Sequence, residues 1–151
     1  LNKDMIGKYL GSPEERNLQV LQAYCHALDF SGMEIVNALR LLLSRFRLPG
    51  EAQQIYRILE GFVKVFHQDN PNVFKSEDTA FTLAYSMLML NTDAHSDRIP
   101  KHKKMTKQVF ISNNSKILPD VDPAYLGKIY DNITRMKFQT KTDCSTKTLH
   151  T

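Results

Sequence analysis

The chain predicts an all-α fold, and three observations carry that expectation. Helix-start signals recur along its 151 residues. Apolar residues repeat at spacings of three and four, and alternating strand-type runs are nearly missing. Ser12-Pro13-Glu14-Glu15 reads as an N-cap, a proline at the first helical position and a capping-box glutamate. The helix it opens should bury Leu18, Leu21, Cys25 and Leu28. Ser31-Gly32-Met33-Glu34 reads as a second capping box, opening a helix with the stripe Ile35, Leu39, Leu42 and Phe46, flanked by Val36 and Leu43.

Pro49-Gly50 then breaks the chain: proline ends one helix and glycine is expected to permit a sharp reversal. The next helix should run from about Glu51 to about Gln68, with Ile55, Ile58, Leu59, Phe62 and Phe66 on its apolar side. Asn70-Pro71-Asn72 is a turn signal. Ser76-Glu77-Asp78 caps a helix to about Asn91, its acids in the first turn where the dipole favours them. This helix is apolar on most sides from Phe81 to Leu90, so it is either central in the core or keeps one face for a partner. Asn91-Thr92-Asp93 is expected to end it, with Asn91 as a cap. Lys101–Lys104 reads as a solvated loop. A short helix is expected near Thr106, including Val109, Phe110 and Ile111, and residues 113–120 read as loop. Asp122-Pro123 opens a last helix bearing Tyr125, Leu126, Ile129, Tyr130 and Ile133. Short connections join consecutive helices. The folded part is expected to span residues 1–137, followed by a polar tail at 138–151.

Composition narrows the function classes. A chain of this length suits one domain, and 42% hydrophobic with 24% charged residues is an ordinary globular balance. Leu1-Asn2-Lys3-Asp4-Met5 has no targeting character, and Phe81–Leu90 is far short of the roughly 20 apolar residues that span a bilayer. Cys25 and Cys144 form no disulfide framework and no paired zinc spacing, which fits a reducing cytosol. Residues 1–100 hold 10 Lys/Arg against 12 Asp/Glu, a balance of −2, and residues 101–151 hold 10 against 4, a balance of +6. The basic third reads as a solvated surface or as a face for an anionic membrane or acidic partner. No nucleic-acid module is visible. Asp93, His95 and Asp97 match no strong metal-ligand spacing and read as a polar helix end. Ser44, Ser86 and His67 offer no nucleophile elbow. No metal and no cofactor is expected.

Two stretches carry the functional reading. The first is Phe46-Arg47-Leu48-Pro49-Gly50-Glu51-Ala52-Gln53, which sets a lone carboxylate, Glu51, at a corner between helices. The second is Leu83-Ala84-Tyr85-Ser86-Met87-Leu88-Met89-Leu90-Asn91-Thr92-Asp93-Ala94-His95. Together they closely resemble the two signature motifs of the Sec-seven domain, the module of the guanine-nucleotide exchange factors of Arf GTPases. The similarity runs from Leu1 to about Lys137. It is nearer to the large, Golgi-type, brefeldin-sensitive subgroup than to the cytohesin type. Leu1–Gly11 resembles the segment shortly before the first motif. The family module begins with further N-terminal helices, so this chain is expected to be an N-terminally shortened piece.

The resemblance implies a right-handed superhelix of short helices and a function in GDP release from Arf-family GTPases. It makes Glu51 the catalytic "glutamic finger", a catalyst of exchange without covalent chemistry. Arg47, Leu48, Pro49, Gly50 and Gln53 support it within the motif. Tyr85, Leu88, Met89, Asn91 and Ser96 are implied to line a groove for the GTPase, while Leu83, Met87 and Leu90 read as core. Tyr85, Ser86, Asp93 and Met105 match the pattern of relatives that brefeldin A inhibits. The implied partner is an Arf-family GTPase, GDP-bound or nucleotide-free, with an anionic membrane contact as a candidate. The implied location is cytoplasmic, peripheral to Golgi or endosomal membranes. Three positions depart from the pattern. Gln54 and Tyr56 stand where many relatives have Lys and Asp, and His95-Ser96 stands where His-Asn is common. From the local residues alone, Glu51 reads first as an acid complementing a helix dipole; it is the two motifs together that reverse this in favour of the finger. A catalytically weak GTPase-binding module or a helical scaffold is the alternative function.

Overall fold

The computed structural model describes residues 2–138, and every regular element among them is helical. The described residues divide into two units: those up to Val73 together with Phe138, and Phe74–Lys137.

The first unit holds α1 (Lys3–Leu10), α2 (Glu15–Leu28), α3 (Ile35–Leu43) and α4 (Ala52–Asp69). α2 packs along α4, α1 touches both, and α3 packs on α4. The expected stripes explain why. Leu21 and Cys25 of α2, the whole apolar side of α3, and Ile58, Leu59, Phe62 and Phe66 of α4 are buried. Leu18, Leu28 and Ile55 are half-buried at the margin. The Phe30 and Phe62 rings meet edge to face at 5.2 Å, a favoured geometry for aromatic quadrupoles.

Both capping boxes fail in this unit. α2 starts at Glu15 with Glu14 as N-cap and no side-chain cap bond; the Ser12 hydroxyl only reaches the Glu14 amide at 3.5 Å. α3 starts at Ile35 with Glu34 as N-cap. The Ser31-Gly32 segment is instead a turn with Gly32 at φ 77°, a conformation glycine adopts without strain. A distant residue holds it. The buried Asn70 side chain accepts from the Gly32 amide (2.8 Å) and donates to the Phe30 carbonyl (2.9 Å), so tertiary bonds displaced the local cap. α1 had no counterpart among the expected helices; Asn2 caps it by accepting from the Asp4 amide.

The second unit holds α5 (Glu77–His95), a 3₁₀ turn at Lys101–Lys103, α6 (Lys107–Ile117) and α7 (Pro123–Arg135). α7 packs on both α5 and α6. Here the local signals hold: Ser76, Thr106 and Asp122 each accept a cap bond, from Thr79, Val109 and Ala124. Two boundaries move. α5 runs on to His95, so Asn91 lies inside the helix rather than capping it. α6 extends to Ile117, through residues expected as loop, because the buried Asn114 amide bonds back to the Phe110 carbonyl at 2.8 Å and keeps the helical turn.

The expected tail loses its first residue to the fold. Phe138 is buried, and the Arg40 guanidinium lies 4.8 Å from its ring centroid, a cation–π arrangement. The remainder of the expected tail, residues 139–151, lies outside the described residues.

Candidate functional site

Glu51 is the last residue of the connection between α3 and α4. Its backbone is extended (φ −83°, ψ 131°), and its carbonyl accepts the Ile55 amide in the first turn of α4. It is the N-cap residue by position, yet its carboxylate makes no cap bond, and the side chain is exposed. A capping acid would turn back onto the N2 or N3 amide; this one does not. Gln53 and Tyr56 are exposed on the same first turns of α4, and Gln54 is half-buried.

The other motif residues are less uniform. Pro49 is buried and Leu48 half-buried. The Arg47 Nε lies 2.8 Å from the Asp4 carboxylate of α1. Gly50 differs from expectation. It does not use a left-handed φ, and a Cβ there would meet nothing within 4 Å. The turn therefore does not require glycine; Pro49 and the contacts of Arg47 shape it instead.

In the second unit, α5 sorts its residues by helical period. Leu83, Ala84, Met87 and Leu90 are buried, while Tyr85 and Met89, one turn apart, are 37% and 56% exposed. Ser86, Leu88 and Asn91 are half-buried between those faces. The Tyr85 ring stacks on Phe81, one turn back, at 6.4 Å and 18°.

The C-terminal end of α5 is closed by groups read as solvent-facing in the sequence. The Lys104 ammonium donates to the carbonyls of Asp93 (3.2 Å), Ala94 (2.8 Å) and Ser96 (2.7 Å). These are carbonyls that a helix end leaves unpaired, and a cation there also meets the negative pole of the dipole. Lys104 is thus a cap rather than part of a solvated loop, while Lys101–Lys103 are exposed. The Asp93 carboxylate accepts the Met105 amide at 2.8 Å, and the Tyr130 hydroxyl donates to the Met105 carbonyl at 2.8 Å. Asp93 and Met105 are therefore in direct contact. Ser96 is the C-cap, and its hydroxyl accepts the Arg98 amide. His95 Nε2 lies 2.7 Å from the Ile133 carbonyl. Among the described residues no three metal-ligating side chains cluster, and no helix is long and apolar enough to cross a membrane. The buried Cys25 thiol is pushed up to about 12 by burial and by Asp69, so it is neutral and inert at neutral pH.

Lys104 and Tyr130 had no sequence signal beyond their type, and Asn70 read only as part of a turn, because each reaches backbone groups of another segment. An exposed acid at a helix corner and a half-exposed Tyr/Met helix face are the surface features that the two motifs carry. Comparison with known proteins specifies the family. Residues 1–138 match the Sec7 domain model. The chain is 47% identical over 147 residues to the brefeldin A-inhibited guanine nucleotide-exchange protein 1 of Arabidopsis thaliana, covering 96% of this chain and 9% of that protein. The Sec7p catalytic domain superposes with a TM-score of 0.80 at 40% identity, covering 91% of this chain and 74% of that one. A Sec7 domain solved with ARF1-GDP and brefeldin A superposes with a TM-score of 0.84 at 35% identity, covering 95% and 72%. The chain belongs to the Sec7 domain family, the same Sec-seven resemblance its two motifs carry.

Proposed function

We propose that this chain is an exchange domain that stimulates GDP release from an Arf-family GTPase, with Glu51 as the group that expels the nucleotide. The observation that carries this reading is the Glu51 side chain. It is exposed at a corner that Pro49 and Arg47 anchor, and it makes no cap bond to its own helix. The relatives whose names describe nucleotide exchange, and the solved complex of a Sec7 domain with ARF1-GDP, support the substrate class.

A small GTPase holds its nucleotide through Mg²⁺, a P-loop lysine and backbone amides around the phosphates. A carboxylate brought to the β-phosphate repels it, competes for Mg²⁺ and offers the lysine another partner. No covalent bond is broken. Two like charges about 4 Å apart at an effective dielectric near 20 repel by roughly 4 kcal/mol, or about three decades in an equilibrium constant. Tyr85, Leu88, Met89, Asn91 and Ser96 form the binding face for the GTPase switch regions; methionine suits a mobile partner because its side chain is adaptable. In this reading the protein works on the cytoplasmic face of Golgi or endosomal membranes, with its basic residues toward anionic lipid.

The test is release of a fluorescent GDP analogue from an N-terminally truncated Arf. Wild type should accelerate it. Glu51→Lys should lose nearly all of that activity while keeping its melting temperature, and Glu51→Asp should fall between, since charge survives and reach does not. Glu51→Lys exchanging at the wild-type rate would sink the finger. Capture of nucleotide-free Arf without exchange by wild type would favour a binding module. Tyr85, Ser86, Asp93 and Met105 also propose a brefeldin A contact, in which a few polar groups orient a small ligand over an apolar floor. Wild type should then be inhibited on Arf·GDP and a Tyr85→Phe, Ser86→Ala variant resistant; equal insensitivity of both removes the drug site and leaves exchange intact.

A further inference from the structure

The corner that carries Glu51 is irregular backbone, and such segments are mobile unless something holds them. Here the holder is α1. Lys3, Gly7 and Gly11 are spaced by four and so follow one line along the helix surface. Each meets the corner or the turn just after it. The Lys3 ammonium donates to the Ser44 carbonyl at 3.1 Å, and the Lys3 carbonyl accepts the Arg47 amide at 3.4 Å. Asp4 pairs with the Arg47 guanidinium at 2.8 Å.

Gly7 presses on the same residue: a Cβ there would collide with the Arg47 carbonyl oxygen and come within 3.4 Å of the Phe46 ring. A Cβ on Gly11 would lie 2.7 Å from Gln54 Cβ, and the Gly11 carbonyl accepts from Arg57 Nη1 at 3.0 Å. One face of α1 therefore grips the chain on both sides of Glu51, from Ser44 to Arg47 before it and at Gln54 and Arg57 after it. Arg47 alone is engaged through its amide, its carbonyl and its side chain.

We propose that Lys3, Asp4 and Gly7 are positioning residues for Glu51, acting through Arg47 to fix the corner from which the carboxylate projects. This rests on the reading of Glu51 as the exchange group. A misplacement near 1 Å at a reacting group costs up to about a hundredfold in rate. Loss of the α1 grip should thus lower turnover without removing any residue that touches the GTPase.

The experiment compares wild type with Gly7→Ala, with a Lys3→Met, Asp4→Asn double variant in case Gly7→Ala does not fold, and with Lys3→Arg as a conservative rescue. Two quantities are read on the folded fraction: nucleotide release against Arf concentration, and amide hydrogen exchange at Arg47, held by the Lys3 carbonyl, and at Ile55, held by the Glu51 carbonyl. The expected result is a fall of about tenfold or more in kcat, KM within about twofold, faster amide exchange at the corner, and recovery in Lys3→Arg. A kcat per folded molecule equal to wild type, or unchanged corner protection in the variants, overturns the proposal. If wild type catalyses no release, the exchange reading fails; loss of corner protection in the variants then still establishes the grip, and retained protection overturns it too.

Discussion

The Glu51 corner and the exposed face of α5 present their candidate residues in opposite ways. Tyr85 and Met89 point outward because the helical period fixes them relative to buried Leu83, Met87 and Leu90. Their direction is set by neighbours within a turn. Glu51 follows Pro49 and Gly50 in irregular backbone, and what holds that corner comes from Lys3, Asp4 and Gly7, more than 40 residues away. A face carried on a helix separates binding from stability residue by residue. A corner held at long range does not, so changes far from it can alter what it does.

The largest effect should come from testing that separation on α5. Met87 is fully buried and Met89 is 56% exposed, two positions apart on one helix. Met87→Ala should cost about 2–5 kcal/mol of stability through the cavity it leaves. Met89→Ala should stay within about 0.5 kcal/mol yet weaken Arf engagement in the exchange assay. Chemical denaturation of both variants checks this. Equal destabilisation would mean that Met89 is core, and the two-faced reading of α5 would fail.

The same contrast explains what was legible in the sequence. α4, α5 and α7 were readable because the apolar spacing that buries Phe62, Leu83 and Ile129 is local, and the Ser76 and Asp122 caps sit beside the helices they start. The two capping boxes misled because their residues were claimed elsewhere: Gly32 by Asn70, and Ser12 by the approach to α2. α1 was invisible because its strongest contacts, at Arg47 and Gln54, depend on glycines whose use only tertiary structure reveals. Glu51 was singled out by its motif, and its corner, held at long range, was not legible. Lys104 read as one lysine of three in a basic run because nothing local says that a residue eight to eleven positions on will return to a helix end.

Lys104 offers a sharper form of the comparison, with a medium effect. Lys104→Met keeps the aliphatic stem and removes three bonds to carbonyls at the end of α5. Hydrogen bonds from a charged donor contribute about 1.5–3 kcal/mol, less where the group is partly solvated, so a loss of roughly 1–2 kcal/mol is expected. Amide exchange should quicken from Ala94 to Met105, while the bonded amides of Arg47 and Ile55 at the corner exchange as in wild type. If the corner loosens as well, the two regions are one cooperative element, and the contrast between local and long-range support does not hold.

The smallest change in stability should come from Gly50→Ala, and it is the most informative about Glu51. Gly50 has no left-handed φ and open space where a Cβ would go, so neither backbone strain nor packing opposes alanine. Replacing glycine at a compatible position stabilises by about 0.4–1 kcal/mol, because the unfolded chain has less freedom to lose. The melting temperature should therefore hold or rise slightly. Exchange should fall all the same if the GTPase backbone passes close to this corner, since the open volume beside Glu51 is then where the partner sits. A variant that is stable and slow would assign the glycine to the encounter rather than to the turn. Wild-type exchange would mean that the corner tolerates bulk next to its carboxylate and that Glu51 reaches the nucleotide without close backbone approach. A clear loss of stability would mean that the corner needs conformational freedom that its resting geometry does not display, and it would return Gly50 to the turn-forming role its sequence suggested.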